Sequence, residues 1–400
     1  MHIQKPVNES SSAHLDALRG LAAISVFFCH STELFPALRL PHSTLAVVLG
    51  SIFTLGHEWV IVFFVLSGYF VGGGVLRSRN RGSWSWKNYL IQRLARLYVV
   101  LIPALILGAL FDGGGAYILG KGAAYPGDGR ISFSPSDVRT TLTAKVFLAN
   151  LFFQQHFRIP YLGSNGPLWS LSNEFWYYIF FPIFLIIFNR KTGPNMKGLL
   201  TGAFLLWCWY VRLANVLLFI PWLLGVALAI LPEWKIRTER MRRTLLTLSV
   251  AQFVGVMAMV GKYNVTGTPL HSFFGHHLRS LPTSLLVVTV SSVFLISTIL
   301  LAAHGQVPSF YKRCAKRAAG SSYTLYLVHA PALVLLEMIF HLPMAESVTQ
   351  SVLAGIAVML VVWLYAQLVY ECFEKRTPEM RRWVEARIGS IKVRPVTVSS

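Results

Sequence analysis

Apolar runs of nearly membrane-spanning length recur from one end of this chain to the other. A helix needs about 20 mostly apolar residues to cross a bilayer. Ten stretches approach that length: 15–34, 57–77, 91–111, 168–188, 197–211, 214–231, 244–261, 282–303, 321–341 and 348–371. In hydrocarbon no water is available to the backbone, so such runs satisfy their own peptide groups as helices. The pattern therefore predicts an all-α fold, a polytopic transmembrane helix bundle with ten spanning helices. Residues 197–211 and 214–231 are short and parted only around Arg212, which fits either a tight hairpin or one broken helix. The segment KVFLANLFFQQ (145–155 by its letters, its apolar part within 143–153) is too short to span and fits a re-entrant or interfacial element. The first run carries Asp16 and Arg19 near its start and lacks a small-residue cleavage site, so it is expected to stay as a first helix.

Only 13% of the 400 residues are charged, and the formal net charge is +20. Soluble domains carry about 25% charged residues. A cationic excess can serve nucleic acid or a lipid surface. Here the cations lie in short clusters between apolar runs, which suits membrane topology and argues against a nucleic-acid partner. With ten alternating spans, 26 of the 36 lysines and arginines fall on one side and nine on the other, Arg19 lying within the first span. Lysine and arginine favour the cytoplasmic side. Both termini are thus expected in the cytoplasm of a multi-pass protein of a bacterial inner membrane. The four cysteines, Cys29, Cys208, Cys314 and Cys372, form no CxxC or zinc spacing, and no metal is expected.

The stretch 112–166 lies on the outer side in this topology and is punctuated by glycine, proline and serine (DGGGAY, YPGDG, FSPSD, SNGP), so it is expected to be mostly loop. Residues 1–375 are taken as one transmembrane domain. Residues 376–400 are taken as a basic cytoplasmic tail on the inner leaflet, where anionic lipid attracts each cation by about 1 kcal/mol.

Ionisable residues inside spans are costly and usually face the bundle interior. In the first span Arg19 and His30 are 11 residues apart. This places them on one helix face with an axial separation of about 16 Å. Asp16, three residues before Arg19, is a candidate partner for it. His30 suits either a satisfied core histidine or a general base. In the fourth span Glu174 shares a face with Ser170 and Tyr177, inside an aromatic run that would serve equally as an interfacial belt. In the ninth, Tyr323, Tyr326 and His329 recur every three residues as a polar stripe, suited to interhelical hydrogen bonding or to binding, and Pro331 is expected to kink the helix. Arg93 and Arg96 enter the third span from the cytoplasmic side, as topology residues or as a phosphate clamp.

Five stretches in order, LDALRGLAAISVFFCHS (15–31), FFVLSGYFVG (63–72), RLAR (93–96), LWSLSNEFWYYIFFP (168–182) and SSYTLYLVHAP (321–331), together with YECFEK (370–375), resemble the acyltransferase-3 family of membrane acyltransferases. The family modifies sugars of O-antigens, exopolysaccharides, Nod factors and some antibiotics. The resemblance implies a cytoplasmic acyl-CoA donor, usually acetyl-CoA, as a substrate with no permanently bound cofactor, and a carbohydrate or glycolipid hydroxyl as acceptor. It implies that the family's essential Arg and His are Arg19 and His30, its donor-binding arginine pair Arg93 and Arg96, and its span-four acid Glu174. Two departures stand out: Ala17 where glycine is usual, and Val99 where a proline often follows the arginine pair.

On this resemblance His30 is expected to deprotonate the sugar hydroxyl and Glu174 to orient the imidazole or the sugar. Arg19 is expected to hold the coenzyme arm. Ser67 and Gly68 are expected to form a turn that lets backbone approach the donor closely. Trp169, Ser170, Ser172, Tyr177, Tyr323, Tyr326 and His329 are expected to line the acceptor path. Direct transfer is the expected route, with an acyl-histidine on His30 as the other chemistry open to it. Oligomeric state is open, a homo-oligomer included, and membrane lipid is the remaining partner. The competing class is a transporter or flippase of a glycan or lipid-linked substrate without covalent chemistry. It fits the helix count and the intramembrane polar residues, but the chain shows no clear repeat.

Overall fold

The computed structural model describes residues 8–34, 54–119, 135, 137–211, 213–231, 236, 238–266, 282–340 and 348–390. Arg212, the YPGDG stretch, several cations of the charge pattern (Lys5, Arg39, Lys121, Arg130, Lys235, Arg237, Arg279, Lys392, Arg394) and the end of the tail lie outside the described residues.

The described chain is a helix bundle, with no β-pairing beyond one isolated bridge between Gln155 and Ile159. Helix α1 (Glu9–Leu34) starts where the Asn8 side chain accepts a hydrogen bond from the Ser11 amide at 2.8 Å, satisfying one orphan donor of the first turn. Helix α2 (Gly56–Asn80) contains a π-helical turn at Gly68–Gly72. Helix α3 (Trp86–Ile118) is capped by Ser85 and runs through Pro103. A short helix α4 (Ala144–Leu151) is capped by Thr143. Then follow α5 (Gly166–Ile187), α6 (Pro194–Tyr210), α7 (Leu213–Leu228), α8 (Glu239–Thr266), α9 (Pro282–Ala302), α10 (Ser309–Phe340), α11 (Val348–Cys372) and α12 (Thr377–Ser390).

Among the described residues, eight helical segments are long and apolar enough to cross a membrane. The two shortest runs of the sequence become α6, of 17 residues, and α7, which is interrupted at Leu218. They are separate helices: the chain leaves α6 at Val211, whose backbone is extended (ψ 152°). Large apolar side chains such as Leu248 and Val254 on α8 and Leu360, Leu364 and Leu368 on α11 point outward. An outer surface this apolar belongs against lipid rather than water.

Helix α10 lies at the centre, against α1, α3 and α11. Its contact with α1 is the most extensive between helices. The two backbones come close because Gly20 has no side chain; a Cβ there would stand 2.5 Å from the Ala318 Cβ. Small residues at such crossings drive helix association in lipid. Pro331 does not end α10, which continues to Phe340, and its ring faces Gly108 of α3.

The described part of the 112–166 stretch is folded down onto the helices rather than looped away. Asn150 donates to the Pro160 carbonyl at 3.0 Å and accepts from the Leu162 amide at 3.2 Å. The Ser164 amide and hydroxyl both donate to the buried Asp112 carboxylate, at 2.7 and 2.8 Å. Gly163 sits beside that carboxylate with φ +58°, a conformation favourable to glycine. The segment expected to be re-entrant or interfacial is α4 followed by this hydrogen-bonded turn.

Candidate active site

Helices α1, α2, α3, α5 and α10 surround a cavity of about 200 Å³. Its polar lining includes Arg19, Ser67, Arg93, Arg96, Ser170, Glu174, Tyr178, Tyr323 and Tyr326, and its apolar wall includes Val60, Phe63 and Phe64. Three guanidiniums from two helices therefore converge on one space, together with a carboxylate from a third.

Each cation has a distinct anchor. Arg19 donates from Nη2 to the Ala319 carbonyl at 3.0 Å, and Asp16 lies 3.9 Å away, so the i, i+3 pairing foreseen in α1 is present but long. The Arg93 guanidinium lies 6.0 Å from the centre of the Tyr178 ring, within cation–π range. The Nε atoms of Arg19 and Arg93 are buried and make no hydrogen bond among the described residues. Arg96 forms an ion pair of 2.6 Å with Glu374 and lies 5.4 Å from the Tyr323 ring centre. Glu374 is buried, and its other oxygen accepts from the Thr324 amide at 3.0 Å and hydroxyl at 2.5 Å. A buried carboxylate held by two donors of Thr324 fixes where its ion-pair partner Arg96 can point.

Glu174 accepts from Ser67 Oγ at 2.5 Å and from the Tyr178 hydroxyl. Ser67 in turn accepts from Trp222 Nε1 at 3.2 Å. Glu174 is therefore engaged inside the arginine-lined cavity. Gly68 serves a different purpose from the close donor approach expected of it. A Cβ at Gly68 would stand 1.8 Å from the Trp222 carbonyl oxygen, and one at Gly225 would stand 2.0 Å from the Val65 carbonyl oxygen. Both glycines exist to let α2 and α7 touch, and the space in front of Gly68 is filled by backbone.

Tyr326 closes one side of the cavity. Its hydroxyl donates to the Pro167 carbonyl at 2.9 Å and accepts from Ser170 Oγ at 2.7 Å. Its ring packs edge-on against Phe63 and lies 6.1 Å from the His329 ring. His329 belongs to a second arrangement that the cavity lining does not include. Its ring lies edge to edge with that of His30, centroids 5.0 Å apart and 9° from parallel, with His30 Nδ1 2.7 Å from His329 Nε2. His329 Nδ1 lies 2.8 Å from the Leu325 carbonyl oxygen. The His30 imidazole thus contacts His329, while Glu174, expected to orient the imidazole or the sugar, is bonded to Ser67 and Tyr178.

The predicted acceptor path divides. Ser170, Tyr323 and Tyr326 line the cavity. Trp169 stacks on His57. Ser172 donates to the Gln155 and Trp169 carbonyls, and Tyr177, fully buried, donates to the Asn215 carbonyl at 3.0 Å. These last two hold α5 against its neighbours. Glu374, Tyr178 and Trp222 complete the site and were not singled out from sequence. Glu374 lies in the YECFEK stretch and Tyr178 in the aromatic run after Glu174, but nothing local joins either to its arginine. Among the described residues no cluster of three histidine, cysteine or acidic side chains could hold a metal.

The family model described as an acyltransferase domain matches residues 12–367. The acyltransferase MdmB of Streptomyces mycarofaciens is 29% identical over 170 residues, 42% of this chain and 38% of that protein. An uncharacterized protein of Haemophilus influenzae is 26% identical over 136 residues, 32% of this chain and 49% of that protein. The chain thus spans less than half the length of these curated relatives. No solved structure matches. The family match takes in α1 to most of α11, the helices that carry Arg19, His30, Arg93, Arg96, Glu174 and His329: the chain belongs to the acyltransferase-3 family.

Proposed function

We propose that this protein is a membrane O-acyltransferase that moves an acyl group, acetyl in the simplest case, from a cytoplasmic acyl-CoA to a hydroxyl of a sugar in a surface polysaccharide or glycolipid. The observation that carries the reading is the convergence of Arg19, Arg93 and Arg96 on one cavity beside the His30–His329 pair. Guanidiniums suit a phosphate-bearing ligand because their forked donors match its oxygens. A volume of about 200 Å³ suits a thioester with its pantetheine arm and leaves the nucleotide end at the arginine mouth. In a bacterial inner membrane with both termini cytoplasmic, that mouth faces the acyl-CoA pool. The family, and a relative named as an acyltransferase, support the reaction class.

In this reading Arg93 and Arg96 hold phosphate, and Arg19 holds the coenzyme arm. Glu174 shapes the cavity through Ser67 and Tyr178. Tyr326 and Ser170 form the partition between the donor cavity and His30, past which the acyl carbon meets the acceptor. His30 takes the proton of the attacking hydroxyl, a contribution worth about 10²–10⁴ in rate.

The test is thiol release from acetyl-CoA by purified full-length protein in detergent, with and without a surface polysaccharide extract of the native host, wild type beside His30→Ala. Release that requires both the extract and His30, with label recovered in the glycan, is the expected result. Folded wild-type protein that releases no thiol from any of several acyl-CoAs would overturn the reading in favour of a transporter.

A further inference from the structure

We infer that His329 is a positioning residue that fixes the tautomer of His30, making Nε2 of His30 the atom that takes the acceptor proton. The inference rests on His30 acting as the base and assigns how that base is prepared. It follows from the direction in which each hydrogen bond of the chain Leu325–His329–His30 has to run. The Leu325 carbonyl can only accept, so the proton in its 2.8 Å contact sits on His329 Nδ1. In a neutral imidazole the other nitrogen then carries a lone pair, so His329 Nε2 accepts. The 2.7 Å contact is consequently donated by His30 Nδ1. This leaves the basic lone pair of His30 on Nε2, because the bond at one ring nitrogen sets the state of the other.

The rings are held for that role. His329 is fully buried, with Phe27 edge-on at 5.9 Å and Tyr326 at 6.1 Å. The two near-parallel imidazoles meet edge to edge between α1 and α10, the pair of helices in most extensive contact, so the hydrogen bond lies close to both ring planes. In the step itself, the acceptor O–H bond breaks and its proton goes to His30 Nε2. The acceptor oxygen bonds to the acyl carbon, the C–S bond breaks with its electron pair leaving on sulfur, and the imidazolium returns the proton to the thiolate. Positive charge that develops on His30 strengthens the Nδ1–H···Nε2 bond to His329, so the partner acts most in the transition state.

The experiment compares His329→Phe, which keeps a ring but offers no acceptor, with His329→Gln, whose amide oxygen can replace Nε2. His30→Ala is run beside them, with radiolabelled acetyl-CoA and the surface polysaccharide extract as probes and kcat and donor KM measured separately. The expected result is a kcat for His329→Phe lower by about 100-fold or more, donor KM unchanged, and most of the activity restored in His329→Gln. Wild-type kcat in His329→Phe, or a His329→Gln variant that keeps donor KM yet is as inactive as His30→Ala, would overturn the inference. If His329→Phe fails to fold, His329→Gln alone decides on the same terms. An active His30→Ala would remove the base reading itself; an inactive His30→Ala beside an active His329→Phe removes only the role of His329.

Discussion

The cavity draws its polar groups from five helices, α1, α2, α3, α5 and α10, whereas the histidine pair comes from two helices lying side by side. The cavity is charged and cross-braced. Arg96 is tied to Glu374 beyond α11, Arg19 to the α10 backbone, and Glu174 to Ser67 and Tyr178. The pair is two imidazoles in a single line of contacts ending on one carbonyl. Under the proposed function the difference separates two tasks. Holding an anionic donor requires fixed cations from several directions, while preparing a base requires one directed hydrogen bond and little else. Tyr326, bonded to Pro167 and Ser170, stands between the two.

That separation can be broken or sharpened by mutation. The largest effect is expected for His30→Ala: kcat lower by about 10²–10⁴ with donor KM unchanged, measured by thiol release. A rise in donor KM of similar size would merge the two regions into one site. Arg93→Ala with Arg96→Ala is the converse test. Each arginine lost removes at least one charge-assisted hydrogen bond of about 1.5–3 kcal/mol, so the double variant should raise donor KM by about 100-fold or more, with kcat less affected. An unchanged KM would return both arginines to topology alone. Gly68→Ala drives a Cβ into the Trp222 carbonyl and should cost about 1–3 kcal/mol of stability, read as a lower Tm in detergent. Because Trp222 and Ser67 are bonded, it should disturb the donor side first, raising donor KM before kcat falls. Tyr326→Phe is the mildest. It keeps the ring and loses bonds worth about 0.5–1.5 kcal/mol each, so a few-fold change in kcat is expected. A loss as large as that of His30→Ala would make the hydroxyl a participant rather than part of a wall.

Much of this molecule is legible in its residue order. Runs of apolar residues dictate helices in lipid, and an isolated cation, imidazole or carboxylate within such a run marks the bundle interior, which singles out Arg19, His30, Glu174 and His329. Helical spacing placed Arg93 with Arg96, which line the cavity together, and aligned Tyr323, Tyr326 and His329, of which the two tyrosines line the cavity while His329 turns to His30. The same local rules gave Gly68 to the donor, because a glycine's freedom is visible in sequence while the backbone that fills the space before it is not.

The sequence by itself determined the class of fold, the helices and most of the polar positions, since hydrophobic length and the 3.6-residue period act within single segments. Only the tertiary structure decided partners. Arg96 meets Glu374 across 278 positions, and His30 meets His329 across 299. Glu174 faces Ser67 rather than His30. Those choices follow from how closely the helices cross, at Gly20 against Ala318 and Gly68 against Trp222, and from which faces are then turned together. Helix crossings are set by side-chain fit between segments distant in the chain, so local periodicity cannot specify them.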